Sequence, residues 1–135
     1  MNDLTYVLDA NTISDILRKN KGVVARLSRA LRNDARCLLC PIAFYEVYRG
    51  LLHKQAPRQL AALRELSGQF EYDELSRDDW DEAAELWAQL RRRGRQVTDA
   101  DLLIGVYAER RSAIVVTSNV RDFVPMNVRV ENWRE

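Results

Sequence analysis

The sequence predicts a small three-layer α/β/α sandwich around a central parallel sheet, and three observations carry that prediction. Tyr6-Val7-Leu8 and the run AIVVT at Ala113 to Thr117 are apolar almost without a break, so both faces of those strands must be covered. Between the strand candidates lie segments whose apolar residues recur at helical spacing. Strands and helices alternate along the chain, the order that sets strands in parallel with helices on both faces.

The elements follow in order. Thr5–Asp9 reads as the first strand, ending in a carboxylate. Asn11 or Thr12 then caps a short helix to about Arg18, with Asn11 preferred. Val23–Arg32 is predicted helical, with Val23, Leu27, Ala30 and Leu31 on one face. Cys37–Cys40 is a second strand, stopped by Pro41. Ile42–Leu52 places Ile42, Tyr45, Glu46, Arg49 and His53 at helical intervals, and another helix is expected over Pro57–Leu66. Phe70–Leu75 alternates like a short strand. Ser76-Arg77-Asp78-Asp79 opens like a capping box, followed by the stripe Trp80, Ala83, Ala84, Trp87 and Leu90. Thr98 starts a last helix carrying Ile104, Tyr107 and Ala108, and Ala113–Thr117 and Val128–Val130 are the closing strands.

The length of 135 residues predicts one domain over positions 1–135, and 47% hydrophobic with 30% charged residues is the balance of a globular core under a polar surface. No apolar run approaches the roughly 18 residues of a membrane span, and the N-terminus has no signal-peptide organisation, so a cytoplasmic location without a membrane partner is expected. The net charge of +1 neither requires nor rejects a nucleic-acid partner. Arg91, Arg92, Arg93 and Arg95 are concentrated just before Asp99 and Asp101. They read either as a solvated helix end complementing the dipole or as a phosphate-contacting patch. Cys37 and Cys40 have CxxC spacing, but their segment reads as a strand and the chain has a single histidine, His53, to join a zinc site. Two buried structural thiols in a reducing compartment is the simpler reading.

In open α/β sheets, ligands bind beyond the carboxyl ends of the strands. Asp9 ends the first strand, Glu46 sits about one and a half turns into the helix after the second, and Asp99 and Asp101 open the helix before the fourth. Thr117, Ser118 and Asn119 follow that strand, with Asp122 three residues later. Each acid has a plain alternative: Asp9 as a cap, Asp101 completing a capping box with Thr98, Glu46 as a surface residue, Asp122 as a loop acid. Glu46, however, lies among Ile42, Ala43, Phe44, Val47 and Leu51, where a carboxylate is costly unless paired or coordinated. Carboxylates gathered at one sheet edge need a cation, and oxygen donors without histidine or thiolate favour Mg²⁺, with Mn²⁺ as a substitute. With arginines to hold a polyanion, these parts suit metal-assisted hydrolysis of a phosphodiester. A receiver-like signalling module would use similar acids, but it needs an acid pair at the first strand and a lysine after the last. Asp3 stands too early, and Lys19, Lys21 and Lys54 all lie in the first half of the chain.

The segments YVLDANTIS, PIAFYEVYRG, DADLLIGVYA and IVVTSNVRDFVPMNVRVENW, in that order, resemble the PIN-domain proteins, and among them the VapC-type toxins, ribonuclease halves of type II toxin–antitoxin pairs. The resemblance spans essentially the whole chain. It implies a PIN-like fold and a Mg²⁺-dependent endoribonuclease acting through a metal-activated water. It also implies a structured RNA substrate, tRNA above all, a cognate antitoxin protein and a homodimer. Carried over, the metal ligands are Asp9, Glu46 and Asp101; Asp101 has Ile104 and Ala108 at the family's spacing, and Asp99 does not. Many members carry an acid two residues after the strand-ending threonine. Here that position is Asn119, so Asn119 or Asp122 completes the site, with Thr117 hydrogen-bonded nearby. The same departure leaves open a catalytically weak RNA-binding or scaffold protein on this fold.

Overall fold

The computed structural model describes residues 3–135, so the first two positions of the expected 1–135 domain lie outside the described residues. Five strands form one sheet: β1 (Thr5–Leu8), β2 (Arg36–Leu39), β3 (Glu71–Tyr72), β4 (Ile114–Val116) and β5 (Val130–Glu131). Their order is β3-β2-β1-β4-β5, and every pairing is parallel. Six helices intervene: α1 (Ala10–Leu17), α2 (Lys21–Arg32), α3 (Pro41–Lys54), α4 (Pro57–Ser67), α5 (Arg77–Arg92) and α6 (Asp99–Arg110). A 3-10 turn at Val120–Phe123 links β4 to β5. Every residue of β1 and β4 is buried, and successive strand side chains point to opposite faces, so helices cover both sides as the apolar runs predict.

Register fixes where function can sit. Tyr6 pairs with Cys37 on one side and Ile114 on the other, and Leu8 lies opposite Val116. The chain builds outward from β1 through β2 to β3, then returns to place β4 on the other side of β1. The strand order therefore reverses between β1 and β4, and the crevice at their carboxyl ends is where an open parallel sheet takes a ligand.

Several boundaries shift for local reasons. β1 ends at Leu8, because Asp9 turns out of the strand to cap α1, although its N–H still donates to Val116 O at 2.9 Å. α2 starts at Lys21, since the Asn20 side chain accepts the N–H of Val23 at 3.1 Å. α3 takes Pro41 as its first residue, where a missing N–H costs nothing. The expected strand over Phe70–Leu75 contracts to Glu71–Tyr72, and the last strand lies at Val130–Glu131 rather than Val128–Val130. Leu51 is buried in the core, while Tyr45, Trp80 and Trp87 are exposed.

Cys37 and Cys40 are both reduced and buried. Cys40 does stand at a helix N-terminus, as the N-cap of α3, but burial pushes both thiols up to about 11, so neither is a reactive thiolate near neutrality.

Two devices place the elements that carry the acids. The first is a buried carboxylate, Asp79, 1% exposed. It completes the expected capping box with Ser76: its N–H donates to Ser76 Oγ at 3.2 Å and its Oδ2 accepts the Ser76 N–H at 2.8 Å. Arg110 Nε and Arg111 Nη2 each reach it at 2.8 Å, tying the start of α5 to the end of α6. The second is Gly105 on α6, where a Cβ would stand 2.5 Å from the Met126 sulfur. The Met126 thioether occupies the space a Cβ would take, so any larger residue there would have to push it aside.

Candidate active site

The expected residues fall at the β1/β4 switch point, and Asp9 is the centre of its hydrogen bonding. Asp9 Oδ1 accepts the N–H of Ala10 at 2.8 Å; Oδ2 accepts the Thr117 hydroxyl at 2.9 Å and Asn11 Nδ2 at 3.2 Å. Thr117, fully buried at the end of β4, accepts in turn from Asn11 Nδ2 at 3.1 Å and from the Asn119 N–H at 3.0 Å. Its hydroxyl proton is thereby directed at the carboxylate. Asn11 also accepts the Ser118 N–H at 3.0 Å, and Thr12 donates to Val116 O at 2.9 Å.

This corrects the sequence reading at one point. Asn11 is not the cap of α1 but lies inside the helix, and Asp9 is the N-cap. The Asn11 amide is instead spent joining the start of α1 to the end of β4. The polar string Asp9-Ala10-Asn11-Thr12 directly after a buried strand was the signal for that role, but on its own it is indistinguishable from ordinary helix-start chemistry.

Electrostatics connects the remaining acids. Burial pushes the Asp9 carboxyl above its ordinary value; hydrogen bonds from Thr117, Ala10 and Asn11 oppose the rise, and the charge of Asp122 adds to it. Glu46 is raised by burial and then by Asp9 and Asp101, with Arg49 pulling the other way. Asp101 is raised by burial, lowered in part by Thr98, and raised again by Asp9 and Asp122. Asp9, Glu46, Asp101 and Asp122 thus share one field, with the first buried, the next two half-buried and Asp122 exposed. Thr98 Oγ1 accepts the Asp101 N–H at 3.2 Å, which fixes the first turn of α6 below the carboxylate. Asp99 faces elsewhere, lining an apolar groove with Trp80, Trp87 and Leu103. Asn119 is exposed beside Thr117.

Among the described residues, no group of three or more His, Cys, Asp or Glu side chains is placed closely enough to hold a metal ion by itself. The donor set nevertheless suits Mg²⁺ or Mn²⁺: it is all oxygen, mutually repulsive and partly open, and Mg²⁺ keeps several waters while binding through one or two carboxylates and substrate phosphates.

A doubly wound parallel sheet with acids on four segments at its switch point is the frame of one nuclease-rich class, and comparison places the chain in it. Residues 6–124 match the PIN domain, and the chain belongs to that family. Within it, the chain is similar to the tRNA(fMet)-specific endonuclease VapC of Salmonella typhimurium, 29% identical over 134 residues that cover 96% of this chain and 98% of that protein. Ribonuclease VapC2 of Haemophilus influenzae is 24% identical over 132 residues, covering 96% and 98%. Among solved structures, DNA-bound VapBC from Salmonella typhimurium superposes with a TM-score of 0.86 at 26% identity, covering 96% of this chain and 98% of that one. VapBC2 from Rickettsia felis, bound to promoter DNA, gives 0.85 at 22%, covering 96% and 99%, a likeness of fold.

Proposed function

We propose that the chain is a Mg²⁺-dependent endoribonuclease, the toxin of a toxin–antitoxin pair, acting in the cytoplasm as one domain on structured RNA, with tRNA the expected substrate. The observation that carries the reading is the shared field of Asp9, Glu46 and Asp101: three carboxylates raised by burial and by neighbouring acids, with Arg49 opposing the rise at Glu46, at the switch point of a PIN fold. The relatives named for ribonuclease activity and the VapBC complexes support it.

Asp9, Glu46 and Asp101 would hold Mg²⁺ or Mn²⁺, directly or through water, with Asn119 or Asp122 completing the set. The bound ion supplies positive charge at the phosphate and the Lewis acidity that makes water a nucleophile near neutral pH. The chain's own part is orientation. Thr117 and Asn11 hold Asp9 Oδ2, and the Ala10 N–H holds Oδ1, so the carboxylate is kept in one orientation, in which it would take part in holding the ion. Half-buried Glu46 and Asp101 flank it, while the exposed Asn119–Asp122 edge leaves access for RNA, whose bases are reachable in single-stranded loops. A small antitoxin would cover the acidic cleft with an arginine or lysine, and exposed Tyr45, Trp80 and Trp87 provide apolar surface for a homodimer.

The test is cleavage of tRNA with Mg²⁺ by wild type, Asp9→Asn and Asp101→Asn. Each substitution should lower the rate about 10²–10³-fold, the scale of removing one group that stabilises the transition state. If both variants cut at the wild-type rate, the site is misassigned. RNA binding without cleavage by wild type would favour the second reading, a catalytically weak member, for which neutral Asn119 is the specific support.

A further inference from the structure

The arginine run is the sequence feature that the acid site leaves unexplained. α5 ends in Arg91 and Arg92, Arg93 is its C-cap, Gly94 turns the chain with φ +71°, and Arg95 follows. Backbone alone closes this helix end. The Gly94 N–H donates to Arg91 O at 3.0 Å and the Arg95 N–H to Leu90 O at 2.8 Å, the paired bonds of a Schellman turn. The guanidinium groups are not needed to satisfy the last carbonyls.

They are not needed as ion-pair partners either. All four arginines are exposed, and among the described residues Arg92, Arg93 and Arg95 form no salt bridge. The positions one turn before them are Trp87, Ala88, Gln89 and Leu90, none of them acidic. Arg91 alone is engaged, 4.6 Å above the Trp87 ring. By contrast, Arg110 and Arg111 at the end of α6 are consumed by Asp79. A dipole is served by the one or two cations of a last turn. Further cations beyond the helix, on a turn open enough that a Cβ at Gly94 would meet nothing within 4 Å, repel one another with no structural return. Six positions separate Arg95 from Asp101, at most about 21 Å of extended chain. The positive loop thus lies on the connection between α5 and α6, at the end of α6 that carries Asp101.

We propose that Arg92, Arg93 and Arg95 form a phosphate clamp that holds the RNA backbone beside the acid site, supplying affinity and register without base selectivity. The inference rests on the ribonuclease reading and names the part of that site that grips substrate. Backbone contacts of this kind position a nucleic acid, whereas base contacts specify sequence.

The experiment measures cleavage of several RNAs by the full chain across salt, for wild type and the triple variant Arg92→Ala, Arg93→Ala, Arg95→Ala. The slope of log(kcat/KM) against log[salt] should become shallower by about 2, roughly 0.7 per lost phosphate contact on a single strand. Raising salt from about 50 to about 200 mM should therefore cost wild type about 20-fold more than the variant. At saturating RNA, kcat should be unchanged, and the loss in KM should be the same for every RNA cut. The three Arg→Lys substitutions should restore the wild-type slope, since lysine keeps the point charge. Arg29→Ala with Arg32→Ala on α2 should leave it alone. A wild-type slope and KM in the alanine variant, while wild type cuts RNA, overturns the clamp and spares the ribonuclease reading. A wild type that neither binds nor cuts RNA with any divalent ion overturns both.

Discussion

Asp9 and Asp79 are both buried aspartates at helix N-termini, 5% and 1% exposed, and they differ in what faces them. Burial raises the pKa of each, but around Asp79 the hydrogen bonds and charges of Arg111, the Ser76 N–H and Arg110 win, and its carboxyl is held down at about 2. Around Asp9 the partners are a threonine hydroxyl, an amide and a backbone N–H, all neutral, and the charge that acts on it is another acid, Asp122. Its pKa stays raised. The chain gives Asp79 its cations and gives Asp9 only neutral groups that aim it. Asp79 locks the start of α5 to the end of α6; on the proposed function, Asp9 is the one left to take a cation from outside.

Substitution should separate the two roles most sharply. Asp79→Ala strands Arg110 and Arg111 and breaks the capping box, and should destabilise the chain by about 3–5 kcal/mol, the usual cost of breaking a buried ion pair from one side. Asp9→Asn should change stability by less than about 1 kcal/mol, because it removes an unbalanced buried charge while keeping a polar group against Thr117 and Ala10. Urea unfolding of the two variants reads the difference. Equal losses would make Asp9 structural and dissolve the contrast.

Acidity separates them less strongly, and with opposite signs. The folded pKa of Asp79, about 2, lies below its ordinary 3.8, so between those values the unfolded chain binds more protons and stability grows with pH. That contribution, about 2 kcal/mol, is complete above pH 3.8 and lost as pH falls through about 2. Asp9, Glu46 and Asp101 are raised instead, so the folded chain binds more protons and stability declines as pH climbs through their raised values. Melting temperature against pH, with EDTA and with Mg²⁺, should show a rise from the acid end, then a decline that Mg²⁺ removes. At an ion concentration of 100 times Kd, binding adds about 2.7 kcal/mol. A decline that persists under saturating Mg²⁺ would argue against these acids as its ligands.

Much of the fold was legible because its signals are local. Two unbroken apolar runs identified β1 and β4, and Ser76 with Asp79 announced the start of α5 three residues apart. Chain order with strand ends is enough to bring Asp9, Glu46, Asp101 and Asp122 toward one edge, and in the structure charges among these acids register on one another; their role as ligands belongs to the proposed function. What stayed hidden depends on distant partners. Asn11 reaches Thr117 across 106 positions, and Asp79 meets Arg110 and Arg111 at separations of 31 and 32. The capping box near Asp79 marks it as structural, but nothing near it in sequence announces its two arginine partners. The edge strands β3 and β5 were misjudged in extent because two residues of pairing leave almost no periodic pattern.

The finest test asks whether the neutral edge of the site can be charged. Asn119 is exposed, and its N–H is already fixed by Thr117 Oγ1 at 3.0 Å, so its backbone stands beside the Asp9–Thr117 bond whatever side chain it carries. Asn119→Asp adds one carboxylate where many PIN proteins have it. Without metal, the new charge should raise Asp9 further and cost a few tenths of a kcal/mol, as like charges near a surface do. With metal, the sign reverses: the Mg²⁺ concentration for half-maximal cleavage should fall about 3–10-fold, up to about 1.4 kcal/mol of added binding. The rate at saturating Mg²⁺ should move far less, because Asp9, Glu46 and Asp101 are unchanged. An unaltered metal titration would put position 119 outside the ion's reach and pass its role to Asp122, whose charge already registers at Asp9 and Asp101. Asp122→Asn should then weaken Mg²⁺ by the margin that Asn119→Asp failed to gain.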